Sequence, residues 1–229
     1  MIDLLPSRIS SWAAAQSIYG STVVMERVFS GPRPLKPKLL NGNQIAIGNE
    51  GLVFKDNSLL QAIEKGFAMP ELLPLLRNPF SAYRTITTLK RVSRFYEKSQ
   101  LSPESLLVLM RAGLESVAVY LNYHPDLKNL SFENPGSKIS FNLAGYGLLG
   151  WLKQSSNGFS AGTEPNNEKS AVALTFASKE IAFAGLLRGV DQLSATATGE
   201  VMIRGNIPLM DKIGYASRMA LREVPMPGL

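Results

Sequence analysis

Apolar positions recur along this chain at two different periods, and the period changes with position. In residues 1–30, Trp12, Ala15, Tyr19, Val23 and Val24 are spaced as on one side of a helix. Ser30-Gly-Pro-Arg-Pro-Leu-Lys-Pro-Lys38 follows, and its three prolines predict an extended, polyproline-like connector. Gln44-Ile-Ala-Ile47 and Leu52-Val-Phe-Lys55 flank Gly48-Asn-Glu-Gly51, which predicts a β-hairpin. Asn57-Ser58 reads as a helix cap ahead of Leu59-Leu60-Gln-Ala-Ile63. Pro70, Pro74 and Pro79 then break the chain into short helical turns.

Residues 80–98 carry the helical period again. On a wheel, Arg84, Arg91, Arg94 and Lys98 share one face, and Ile86, Leu89, Val92 and Tyr96 the opposite one. The plainer reading is a surface helix that packs its apolar stripe on the protein's own core. The sharper one is a docking face for anionic lipid headgroups, with Phe80, Tyr83 and Phe95 beside the basic stripe. Ser102-Pro103-Glu104 is a strong helix start: a capping hydroxyl, proline in the first turn and an acid at the positive end of the dipole. Leu106, Leu109, Met110, Leu114, Val117 and Leu121 continue that helix until Pro125.

After Gly136 the period becomes two. Ile139, Phe141 and Leu143 alternate with Ser140 and Asn142. Further strands are predicted at Leu149–Lys153, from Phe159 after an Asn157-Gly158 turn, at Ser170–Phe176 and at Glu200–Arg204. Ser178 caps a short helix to Arg188, which Gly189 ends. A closing helix runs from Pro208 to Arg222, with Leu209, Met210, Ile213, Ala216 and Met219 on its apolar face. Three units are expected: a mainly helical extension with a small hairpin over 1–100, an α+β unit over 101–224, and a flexible tail over 225–229.

Composition narrows the chemistry. The 229 residues include no cysteine, which removes disulfides, thiolate nucleophiles and cysteine-bound metal. The single histidine, His124, sits at a predicted helix end, where a role in the terminal turn is the plainer reading than catalysis. Glu115, Asp126, Glu180 and Glu200 are scattered and form no acid pair. Gly145-Tyr-Gly-Leu-Leu-Gly150 spells a dinucleotide-binding pattern, but it lies between two strands and no helix follows. No enzyme activity, cofactor or metal is expected. Net charge is +6, with the basic excess on one helix and no nucleic-acid motif, so no nucleic-acid partner is expected. Met1-Ile-Asp-Leu-Leu-Pro lacks the basic and apolar regions of a signal peptide, and no apolar run approaches the ~18 residues that span a bilayer. The expected location is cytoplasmic, or peripheral at a membrane surface.

Three segments resemble the sterol carrier protein type 2 superfamily. Lys138-Ile-Ser-Phe-Asn-Leu-Ala-Gly145 looks like its first strand and glycine turn. Ala171-Val-Ala-Leu-Thr-Phe-Ala-Ser178, with the helix ending Leu187-Arg-Gly189, looks like its fourth strand and short helix. Gly199-Glu-Val-Met-Ile-Arg-Gly-Asn206 and Leu209-Met210 look like its closing strand, glycine and helix. The likeness covers roughly residues 102–222 and does not extend to the first hundred. Ala144–Gly150 is long and glycine-rich for the family's first hairpin.

The resemblance implies a five-stranded, mostly antiparallel twisted sheet covered by helices, with an apolar tunnel closed by the last helix. It implies non-enzymatic binding of a sterol, fatty acyl chain, phospholipid or isoprenoid tail, for carriage or presentation. The lining residues it implies are Phe141, Leu143, Trp151, Phe176, Phe183, Val201, Ile203, Leu209, Met210, Ile213 and Met219. Met210 and Met219 are adaptable side chains, and Gly214 lowers the helix's stability by ~1 kcal/mol relative to alanine. The alternative is a peripheral accessory factor in isoprenoid quinone or lipid metabolism, docked on anionic membrane through Arg84, Arg91, Arg94 and Lys98. A homodimer is left open.

Overall fold

The computed structural model describes residues 6–41, 43–49, 51–65, 69–98, 101–127, 136–165, 168–187 and 192–224. The expected tail at 225–229 and the helix-ending Arg188-Gly189 lie outside these residues. The described residues form an α+β fold with two sheets and eight helices.

The larger sheet holds β4 (Lys138–Leu143), β5 (Gly147–Ser155), β6 (Gly158–Gly162), β7 (Val172–Phe176) and β8 (Val201–Gly205). Its strand order is β6-β5-β4-β7-β8, antiparallel except for the parallel pair of β4 and β7. The period-two alternation therefore predicts the strands well. The Ala144–Gly150 connection differs from expectation. It is a tight turn, with Tyr146 N–H donating to the Leu143 carbonyl at 3.1 Å, followed on β5 by a bulge at Leu149, opposite the Phe141–Asn142 step. The bulge absorbs the extra residue without lengthening the loop.

Helix α5 (Pro103–Tyr123) crosses the inner face of this sheet. It starts where the sequence predicts: Ser105 N–H donates to Ser102 Oγ at 3.1 Å. Apolar residues on nearly every side of it are buried, because α1 (Pro6–Phe29) packs along its back. Gly20 on α1 lets the two helices approach, since a Cβ there would lie 2.9 Å from Glu115 Cγ. Helices α6 (Lys179–Leu187) and α8 (Ile207–Glu223) complete the cover over the sheet. The short helix α7 (Gln192–Ala197) was not expected from the sequence.

The N-terminal half is built on a three-stranded meander rather than a hairpin. β2 (Gln44–Ile47) and β3 (Leu52–Lys55) pair as expected, and β1 (Pro37–Leu40) adds to the free edge of β2. The end of the proline connector is thus a strand. Pro37 is tolerated because it opens an edge strand, where no ladder N–H is required of it. Helix α2 (Asp56–Lys65) begins earlier than the Asn57-Ser58 cap predicts. Helices α3 (Leu72–Arg77) and α4 (Pro79–Lys98) follow the proline breaks. One continuous buried cluster runs from Ile9 on α1 through Ile45 and Leu109 to Val224.

Candidate functional site: an apolar cavity beneath the last helix

The site begins with strand register. Leu143, Phe176 and Val201 lie side by side across β4, β7 and β8, and Phe141, Leu174 and Ile203 form the next rung. Residues in one rung point to one face, so the sheet presents an apolar surface inward. Above it, Met110, Gly113, Leu114 and Val117 occupy a single face of α5 at helical spacing. Gly185 and Leu186 of α6 and Met210, Ala220 and Leu221 of α8 close the sides.

These surfaces do not meet completely. They leave a half-open cavity of about 130 Å³. Gly113 contributes to the gap: a Cβ built on it would find only Leu186 Cδ2, at 4.0 Å. Gly150 does the reverse beneath it. A Cβ there would lie 2.9 Å from both Leu114 Cδ1 and Met110 Cγ, so the sheet and α5 touch at that point. The cavity wall is apolar except for Ser116 and Ser217. The Ser116 hydroxyl is engaged away from the cavity, with Ser17 and the Ala13 carbonyl of α1.

Helix α8 is held at both ends. Asn206 Oδ1 accepts from Leu209 N–H at 3.2 Å at the start. Near the end, the exposed Glu223 carboxylate accepts from Tyr120 OH at 2.8 Å and Ser10 Oγ at 2.9 Å, and those two hydroxyls lie 3.0 Å apart. Burial, with help from the nearby carboxylate, raises the Tyr120 phenol far above its ordinary range, so it remains a neutral donor. Three helices are thus joined at one point, α1 through Ser10, α5 through Tyr120 and α8 through Glu223.

Of the residues expected to line a tunnel, Phe141, Phe176, Val201 and Met210 face the cavity. Leu143, Phe183, Leu209 and Ile213 are buried in the surrounding core, and Ile203 and Met219 are half-buried against it. Trp151 lies elsewhere. It pairs with Ser140 and Gly162, on the opposite face of the sheet, and its Nε1 donates to the Glu164 carbonyl at 2.9 Å. Its ring covers Gly162, where a Cβ would sit 2.2 Å from the indole. The α5 and α6 linings were missed by sequence reasoning. The available signal was Gly113, a glycine within an otherwise apolar helix face.

The titratable groups lie away from the cavity. Glu115 is paired with Arg111 at 2.7 Å, and burial raises its carboxyl above the usual range despite that partner. Arg27 reaches Glu164 at 2.8 Å on the same side. His124 caps α5, its N–H donating to the Tyr120 carbonyl at 2.8 Å, and its Nδ1 accepts from Asp126 N–H at 3.2 Å. Among the described residues, no three His, Cys, Asp or Glu side chains gather as metal ligands.

On α4 the apolar face packs inward. Val92 is buried, and Tyr96 hydrogen-bonds Ser21 of α1 at 2.8 Å, with burial raising its phenol to about 12. Arg84, Arg91 and Arg94 are exposed on the outer side; Lys98 ends the helix, and its side chain lies outside the described residues. Among the described residues, no helix is long and apolar enough to cross a membrane.

No family model matches the sequence, and no curated protein matches it. Among solved structures, the chain is similar to the UbiJ-SCP2 ubiquinone synthesis protein, at 21% identity and a TM-score of 0.38, covering 49% of this chain and 96% of that one. It is also similar to the sterol carrier protein domain 2 of Helicoverpa armigera, at 15% identity and a TM-score of 0.37, covering 50% of this chain and 89% of that one. A third is the apo form of sterol carrier protein 2 from Yarrowia lipolytica, at 17% identity and a TM-score of 0.32, covering 44% of this chain and 91% of that one.

Proposed function

We propose that the protein binds an apolar molecule in the cavity beneath α8 and performs no covalent chemistry on it. The observation that carries this reading is the cavity itself: a gap of about 130 Å³ left between apolar surfaces of the sheet, α5, α6 and α8. Close-packed interiors contain few voids larger than a water molecule, so a gap of this size stands out. Each ligand methylene transferred from water into it contributes roughly 0.8 kcal/mol, and directional contacts are unnecessary.

The volume sets the scale. An engineered apolar cavity of about 150 Å³ admits benzene, so this one seats a ring or a short run of methylenes. A whole acyl chain, sterol or isoprenoid tail needs more room. That room is gained by moving α8, whose last turns wall the cavity and are tied down at Glu223. Carriage or presentation follows from a roof of this kind, which opens for the ligand and closes over it.

The test is direct. Organic extracts of freshly purified protein should contain lipid by mass spectrometry, and the delipidated protein should take up a fluorescent fatty acid in competition with unlabelled lipid. A folded protein that yields no lipid and takes up none would sink the proposal.

A second reading, an accessory factor in isoprenoid quinone or lipid metabolism docked on anionic membrane through α4, is favoured by a specific observation. Met69, Leu72, Leu73, Leu76, Phe80 and Tyr83 are all exposed, next to the arginines of α4, and none of α3 is buried. Outward apolar side chains rimmed by positive charge suit a lipid interface.

A further inference from the structure

We propose that a cleft between α4, the proline connector and the β2–β3 turn is a binding site for the phosphate group of an anionic phospholipid. This rests on the membrane-docking reading of α4 and adds a specific headgroup site to it.

The cleft is larger than the apolar cavity, about 460 Å³, and its chemistry is different. Three guanidiniums line it: Arg84 and Arg91 from α4, and Arg33 from the connector. Arg84 and Arg91 stand two helical turns apart on one face. Arg33 lies between Pro32 and Pro34, which restrict the backbone and so limit where its side chain can reach. No Asp or Glu lines the cleft, and none of the three guanidinium side chains has an ion-pair or hydrogen-bond partner among the described residues. Three like charges around one space repel one another until an anion enters, and guanidinium geometry matches phosphate oxygens.

The floor is rigid. Ser81 Oγ donates to the Gly48 carbonyl at 3.1 Å, and Thr85 Oγ1 donates to the Ser81 carbonyl at 2.9 Å. Gly48 has a φ of +67°, and a Cβ on it would lie 2.2 Å from Thr85 Oγ1, so the turn sits directly on the first turns of α4. The hydroxyl protons of Ser81, Thr85 and Thr87 are spent on backbone carbonyls, and the arginines supply the charged donors toward an anion.

The source of the phosphate follows from the rim. Phe80 lines the cleft and is 86% exposed, and it continues into the apolar ridge of Leu73, Leu76 and Tyr83. A free phosphate would gain nothing from that ridge. In a bilayer leaflet the phosphates form a layer directly above the acyl chains, so a surface that offers arginines beside exposed apolar side chains can meet both.

The experiment is cosedimentation of the full chain with phosphatidylcholine vesicles and with equimolar phosphatidylcholine and phosphatidylglycerol vesicles. Binding is expected to the mixed vesicles. Arg33→Gln, Arg84→Gln and Arg91→Gln should each weaken it roughly tenfold or more, as loss of a charge-assisted bond to phosphate requires. Arg94→Gln, equal in charge change but outside the cleft, should weaken it no more than about fivefold. Leu73→Asp with Leu76→Asp should also weaken it while leaving the cleft intact. All these side chains are exposed, and unchanged melting temperatures will verify the fold. Equal losses from Arg33→Gln and Arg94→Gln would overturn the headgroup site and leave general docking standing. No binding of the unaltered protein to mixed vesicles would overturn both. If inorganic phosphate displaces the protein from vesicles and Leu73→Asp with Leu76→Asp changes nothing, the ligand is free phosphate and the lipid assignment falls.

Discussion

Two hollows among the described residues differ in both size and chemistry. The smaller one, beneath α8, is walled by apolar side chains and owes its existence to imperfect contact between four elements. The larger one, beside α4, is walled by three arginines and several hydroxyls together with Pro32, Pro34, Leu35 and Phe80, and further apolar residues next to it are exposed. In the first, apolar surface is turned inward and waits for a greasy occupant. In the second, three positive charges share the wall with apolar side chains. The comparison teaches that volume alone says little about a ligand. What matters is which groups are left without partners, and these are methylene surfaces in one hollow and guanidiniums in the other.

The two hollows should also differ in rigidity. Gly48→Ala is expected to have the largest effect, because it places a Cβ against Thr85 in a left-handed backbone conformation. Strain and steric clash together should destabilise the protein by about 3 kcal/mol, read from urea denaturation. A near-neutral result would show that the cleft floor yields, and would remove the contrast. Next is Val117→Phe, which fills part of the apolar cavity from α5. Fatty acid uptake should fall at least tenfold, about 1.4 kcal/mol, with vesicle binding unchanged. If both fall together, the hollows are not independent.

Smaller effects sharpen the picture of the roof. Tyr120→Phe removes the phenol shared with Ser10 and Glu223 and should cost about 1 kcal/mol. Hydrogen exchange should accelerate in the last turns of α8 before it does so in α4. Uniform acceleration would argue against a latch. Gly113→Ala should have the smallest effect and the opposite sign. Space is open at that position, so the gain in helix propensity should stabilise the protein by up to about 1 kcal/mol. Opposite signs for two glycine-to-alanine changes, one in each hollow, would be a compact statement of the difference between them.

The sequence by itself determined the elements whose causes are local. Period-two alternation marked the strands around Phe141 and Leu174, Ser102-Pro103 marked the start of α5, and Pro208 marked that of α8 to within a residue. These signals survive because they arise from steric and hydrogen-bonding preferences within a few residues. Part of the site was legible for the same reason: Phe141, Phe176, Val201 and Met210 are apolar positions on predicted inner faces. What the tertiary structure decided is everything that depends on a neighbour distant in sequence. It put Trp151 on the outer face, packed over Gly162, and turned the end of the proline connector into a strand on the edge of β2. It brought Arg33 to Arg84 and Arg91. Above all it decided where atoms are missing. A cavity is set by the side chains that fail to meet, and no single segment carries that information.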